Sequence, residues 1–235
     1  MTYKSLIRKL KLKNEDLEEI KAAVQKAETA TTGEIVVAVA PESEHYSFWE
    51  LLFANVFSAL VIFAMFPFSE KIKGLYSILY WRNEPSWILP IFFIITYLCL
   101  VIITFYLTNI AALDRLIIPR AERRLAVTNR AFRLFTETNV YCTKEHTGIL
   151  IFVSYMEHQV RILADKGISD KISQDMWNMI ADEMSDNLKN KNIKLAFINA
   201  VEKCGQLLAD NFPNHQENPN ELSDGLIIVI LIVKI

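Results

Sequence analysis

Cysteine is scarce in this chain of 235 residues: there are three, Cys99, Cys142 and Cys204. An odd, scattered set without CxxC spacing supplies no disulfide framework and fits a reducing compartment. The four histidines, His45, His146, His158 and His215, show no ligand spacing either, which argues against zinc. Glycine is nearly as scarce, and none of GxGxxG, GxxxxGKS/T, GxSxG or HExxH occurs. Nucleotide hydrolysis and serine-hydrolase chemistry are therefore without support. The net charge of −2 gives no reason to expect a nucleic acid partner. The first 13 residues are basic, but no apolar run follows them, so no cleaved signal peptide is expected.

Charge is missing altogether from two stretches, between Glu50 and Glu70 and between Glu84 and Asp114. About 20 helical residues cross a hydrocarbon core of about 30 Å. Residues 51–69 and 86–110 are thus expected to be two transmembrane helices. The short connector at 70–85 makes them an antiparallel hairpin, with Tyr76, Tyr80, Trp81 and Trp87 suited to the headgroup zone. Asn55, Ser58, Thr96, Thr104 and Thr108 offer hydrogen bonds between the helices. No charge lies mid-span, which leaves no ion or proton pathway. Six arginines follow the second span (Arg115, Arg120, Arg123, Arg124, Arg130, Arg133), against Lys71, Lys73 and Arg82 in the connector. This bias places the soluble part and both termini in the cytoplasm, as a multi-pass protein of the inner membrane. The same arginines could meet anionic lipid headgroups.

The flanks read as an ordinary charged α/β domain. Residues 14–30 have a helical stripe (Leu17, Ile20, Val24, Ala27), with Asn14 as the expected cap. The β-branched run EIVVAVA at 34–40 ends at Pro41 and reads as a buried strand. A helix is expected from Pro119 to about Thr138 with Leu125, Phe132 and Phe135 inward. Residues 149–164 read as a β-hairpin turning at Met156, Glu157 and His158. Two helices follow, one capped by Ser173 with Trp177, Ile180 and Met184 inside, the other over about 192–211. The terminal LIIVILIVKI is too short to span a bilayer as a helix and reads as an added strand or an unpaired tail. The expected fold is α/β, a mixed sheet sandwiched by helices and interrupted by the hairpin. Residues 1–47 and 114–227 form one domain, 48–113 the membrane hairpin, and 228–235 an apolar tail.

TGILIFVSYMEHQVRILADKGI at 147–168 resembles the hairpin region of TPM-domain proteins, in particular their bacterial membrane-bound branch. TTGEIVVAVA at 31–40, LIIPRAERRLAVTNRAF at 116–132 and FPNHQENPNELSD at 212–224 resemble further parts of it. Two spans inserted after the first strand are typical of that branch. The resemblance implies a compact α/β sandwich around a mixed sheet. It also implies a phosphatase activity, metal binding in some members, and roles in the assembly or maintenance of membrane complexes in others.

Polar residues near the strand ends are the candidate site. Glu157 and His158 lie at the hairpin turn, whereas Asp165, Asp170 and Asp175 follow the returning strand. Carboxylates of this kind suit a hard cation, Ca or Mg, which could polarise a phosphoryl oxygen or activate water. A hairpin sends its turn and its strand ends to opposite edges, so Glu157 and Asp165 should lie about 20 Å apart and share no metal. If the strands at 34–40 and 149–155 run parallel, Glu34, Thr147 and Gly148 meet Asp165 at one edge. Asp165 and Glu34 are then the catalytic candidates, Asp165 and Asp170 the metal ligands, and Thr147, Gly148, Glu157 and His158 the ligand contacts. Each also has a bland reading, as a turn residue, a helix start or a solvated strand end. Two functions follow: a membrane-anchored binding, assembly or maintenance factor with a membrane-protein partner, or a metal-assisted phosphomonoesterase.

Overall fold

The computed structural model describes residues 3–80, 85–108, 111–190, 192–214 and 221–229. The expectations for Trp81, Arg82, His215 and the tail beyond Val229 lie outside these residues, as do the side chains of Tyr76 and Tyr80. In chain order the elements are α1 (Tyr3–Leu10), α2 (Asn14–Glu28), β1 (Glu34–Ala40), α3 (Ser47–Met65), α4 (Ser69–Tyr80), α5 (Ile88–Thr108), α6 (Ala111–Ile117) and α7 (Arg120–Glu137). They continue with β2 (Gly148–Ser154), β3 (Gln159–Ala164), α8 (Lys166–Ser169), α9 (Gln174–Lys189), α10 (Ile193–Asn211) and β4 (Ile227–Ile228). The chain divides into two compact units, Met1–Glu44 with Ala121–Ile235, and His45–Arg120.

The first unit is built on a mixed sheet of order β3-β2-β1-β4. β1 pairs parallel with β2, Glu34 opposite Gly148 through Ala40 opposite Ser154, and parallel with the short β4. β2 and β3 form the expected antiparallel hairpin. β1 and β2 are buried along their whole length, so their sequences are continuous apolar runs instead of alternating ones. Ile35, Val37, Val39, Ile149 and Ile151 face a core shared with Ile20, Val24, Trp177, Phe197 and Val201 of α2, α9 and α10. Val36, Ala38, Leu150 and Phe152 face the other way, onto Val127, Ala131 and Leu134 of α7.

Several local expectations are corrected. The N-cap of α2 is Lys13, whose backbone N–H donates to the Asp16 carboxylate at 2.8 Å; Asn14 is already helical. α7 packs through Ala126, Val127, Ala131 and Leu134, whereas Leu125 and Phe132 are exposed and Phe135 is half-buried. Small and branched residues let the α7 backbone approach the sheet, and the larger side chains fall on the outer face. The basic start of the chain forms α1, which buries Leu6 and Leu10. The tail does add a strand, at Ile227–Ile228.

In the second unit α3 and α5 lie against each other. Ser47–Gly74 and Ile88–Thr108 are long and apolar enough to cross a membrane. What they bury is small or polar, Ala54 and Ser58 on α3 and Thr104 and Thr108 on α5. What they expose is large and apolar, Phe63 at 80% among others. The Tyr97 hydroxyl donates to Asn55 Oδ1 at 2.8 Å, one link between the two helices. Thr96 and Thr108 instead donate to carbonyls of their own helix.

Gly148, where β2 starts, has no room for a side chain. A Cβ there would come within 2.2 Å of the Val140 carbonyl oxygen. Gly148→Ala is expected to destabilise the sheet unit by about 1–3 kcal/mol. A thermal melt of the protein in detergent checks this, and an unchanged melting temperature would contradict the packing role.

Candidate functional site

Because β1 and β2 run parallel, Glu34, Thr147 and Gly148 do meet at one edge of the sheet. Asp165 joins them through its backbone N–H, which donates to the Gly148 carbonyl at 2.9 Å. The side chains do not share a centre. Thr147 is buried and engaged on all sides: its N–H donates to Thr143 Oγ1 at 3.0 Å and its hydroxyl to the Thr32 carbonyl at 2.9 Å. Together with the crowding at Gly148, this gives both residues a structural explanation.

Glu34 is 2% exposed, so it is no solvated strand end. Its Oε2 accepts the Leu222 N–H at 3.3 Å. Burial raises its pKa above the usual carboxylate range, and the neighbouring Glu221 and Asp224 add to this against the Leu222 hydrogen bond. Glu28, from the end of α2, lies near the same carboxylates. Its Oε1 accepts the Ile35 N–H at 2.8 Å, and burial pushes its pKa up to about 8. Asp224 is held by the Gln25 amide at 2.7 Å, and Glu221 by the backbone N–H and ammonium of Lys144.

Asp165 has a separate set of partners. It is the N-cap of α8, with Oδ1 accepting the Lys166 N–H at 2.7 Å and Oδ2 lying 3.1 Å from His146 Nδ1. His146 has φ of 54°, a left-handed conformation uncommon for a residue with a side chain. The pair lines an open recess of about 460 Å³ with Tyr141, Glu145, Lys166 and Asp170. Gly167 packs here against the carbonyls of Glu145 and His146, where a Cβ would lie at 2.9 and 2.7 Å. Among the described residues no three His, Cys, Asp or Glu side chains are gathered closely enough to hold a metal ion.

The hairpin turn lies at the opposite edge, as its geometry requires. Glu157 is buried there: Oε1 accepts the Ser43 N–H at 2.9 Å and Oε2 the Ser154 hydroxyl, which also meets the Ser43 hydroxyl at 2.7 Å. This carboxylate ties the turn to the chain leaving β1. His158 is exposed beside it, with its ring centroid 6.1 Å from that of Tyr155. Two features of these sites escaped sequence reasoning. The Asp165–His146 pair was within reach, because the hairpin register sets Asp165 opposite the residues just before β2. The meeting of Glu28 with Glu34 and Asp224 depends on tertiary packing and carries no local signal.

The raised pKa of Glu28 makes stability pH-dependent. Between about pH 4.5 and 8 the unfolded chain has released this proton while the folded chain retains it, so stability falls as pH rises through that window. Glu28→Gln removes this slope. The variant is expected to match the parent near pH 4 and to exceed it near pH 7 by a few kcal/mol, since a tenfold change in proton affinity is worth about 1.4 kcal/mol. Denaturant unfolding at the two pH values measures it, and equal differences at both would refute the assignment.

Residues 113–207 match the TPM domain. No curated protein matches the chain. Among solved structures, the NMR structure of BA42 protein from the psychrophilic bacterium Bizionia argentinensis is similar, at 20% identity and a TM-score of 0.53. The alignment covers 93% of this chain and 95% of that one, and at such identity the likeness concerns the fold alone. The mixed α/β sheet unit and the match over its second part agree: residues 113–207 of this chain are similar to a TPM domain.

Proposed function

We propose that this protein is a membrane-anchored binding factor, held by α3 and α5, whose TPM domain works at the cytoplasmic face in the assembly or maintenance of membrane proteins. The observation that carries the reading is the inverted exposure of the two apolar helices. Phe48, Leu60, Phe63, Ile94 and Tyr106 point outward, while serine, threonine and alanine are buried. In water such a surface would aggregate; in lipid it is matched to its solvent. The arginine excess after α5 supports a cytoplasmic domain, and Arg124 and Arg133, exposed on α7 beside Leu125 and Phe132, suit anionic headgroups. Arg130 is set apart from that role, being buried and paired with Glu137 at 3.2 Å.

Cys142 is an exposed thiol in the sheet unit, and Cys204 is fully buried. A membrane-impermeant maleimide is expected to leave Cys142 unlabelled in intact cells and to label it once the membrane is opened. Labelling of intact cells would overturn the cytoplasmic orientation. Crosslinking in native membranes should capture a discrete membrane-protein partner, and its absence would remove the assembly role.

A second reading is phosphomonoester hydrolysis at the recess of Asp165. It is favoured by the His146–Asp165 pair, because a carboxylate against imidazole Nδ1 orients the ring for proton transfer, and Lys166 lies on the same wall. Hydrolysis of p-nitrophenyl phosphate, with and without added Mg or Ca, tests it. Activity that falls at least about tenfold in Asp165→Asn would support this reading, whereas activity untouched by that change would exclude Asp165 as the catalytic group.

A further inference from the structure

The carboxyl end of the sheet carries a cavity that the binding role above does not use. It measures about 440 Å³ and lies where α1 ends, the β2–β3 turn bends and α9 gives way to α10. That volume falls within the roughly 300–1,000 Å³ common for small-molecule sites, and the carboxyl ends of parallel strands are where open α/β sheets tend to bind ligands. The walls are largely apolar, with Leu10, Val153, Leu188 and Ile193 among them. The rim is cationic: Lys9, Lys11 and Lys189 line it together with His158, and among the described residues no carboxylate does. Among the described residues the ammonium groups of Lys9 and Lys11 form no ion pair or hydrogen bond. Lys189 reaches Asp186 at 2.7 Å, an exposed pair of the kind an anion readily displaces.

Two of the rim residues occupy left-handed backbone positions, Lys11 with φ of 55° and His158 with φ of 52°. Lys11 closes α1: its N–H donates to the Arg8 carbonyl and the Leu12 N–H to the Ile7 carbonyl, both at 3.2 Å. Glycine or asparagine is the favourable residue in such a helix ending, and glycine at such a turn. At both positions the chain holds a nitrogen-bearing side chain on the same cavity.

The geometry points to a binding site for a small anionic amphiphile, a phosphate or phosphate ester with a short apolar body. The apolar part fills the cavity against Leu10, Val153, Leu188 and Ile193, and the anionic head is held by Lys9, Lys11 and Lys189. The same chemistry could come from a phospholipid headgroup or from a free phosphate ester, and neither source involves the Asp165 recess or a protein partner.

The test uses the full chain in phosphatidylcholine nanodiscs, titrated with hexyl phosphate, inorganic phosphate and hexanol by calorimetry. Hexyl phosphate is expected to bind more tightly than either control. The double substitution Lys9→Gln with Lys11→Gly should weaken it by about tenfold or more, since hydrogen bonds from an ammonium group to an anion are roughly twice as strong as neutral ones. The melting temperature should not fall, because glycine suits the left-handed position at 11. Equal binding by the variant, binding of hexanol or inorganic phosphate as tight as that of hexyl phosphate, or no binding at millimolar concentration would overturn the assignment. With phosphatidic acid in the nanodisc, loss of hexyl phosphate binding assigns the site to lipid. Unchanged binding assigns it to a free ester.

Discussion

Everything in the sheet unit depends on β1 being buried on both faces and bonded along both edges. Its partners β2 and β4 both run parallel to it, and parallel neighbours cannot be joined by a tight turn. The crossover from β1 to β2 here is the whole stretch from α3 to α7, including the two apolar helices. A crossover that enters lipid must leave it on the same side for β2 to reach β1, so the spans must be even in number. Two apolar helices long enough to cross a membrane would satisfy that requirement, and the insertion is compatible with the fold because it replaces a connection that had to be long anyway.

The pairing also sorts the polar groups. Parallel strands put their starts together and their ends together, so the residues before β1 and β2 form one edge and those after them the other. The starting edge collects carboxylates, Glu28, Glu34, Glu221 and Asp224, and burial holds Glu28 and Glu34 toward the protonated form. The ending edge collects Lys9, Lys11 and Lys189, exposed and charged. Glu42 and Glu44 follow β1 here, and Glu157 is a further carboxylate at this edge. Its two oxygens are occupied by Ser43 and Ser154, so it holds the turn in place instead of offering a free anion.

How far the sequence revealed this follows from the range of each signal. β1, the β2–β3 hairpin, α9 and α10 could be read because their cores are contiguous apolar patterns, as with Trp177, Ile180 and Met184 in α9. The inward face of α7 could not, because hydrophobicity favours Leu125 and Phe132, whereas packing against a close sheet favours Ala126, Val127 and Ala131. α1 was hidden by its lysines, although Leu6 and Leu10 show the spacing of a buried stripe. At the candidate site, the meeting of Glu34, Thr147, Gly148 and Asp165 at one edge followed from strand direction alone. That their side chains divide between separate partners did not, since Leu222 and Asp224 reach Glu34 from the far end of the chain.

The TPM match spans residues 113–207, whereas both polar edges are completed by residues outside it. Glu28 and Glu34 come from before the insertion, as do Lys9 and Lys11, and Glu221 and Asp224 come from after the matched stretch. The matched part thus contributes β2, β3 and the helices that frame the edges, together with Asp165 and His146. The first 44 residues and the closing segment contribute most of the charges that distinguish one edge from the other. Within the matched stretch the polar pair is Asp165 and His146. What this chain binds in particular should be sought where its opening helix meets the β2–β3 turn.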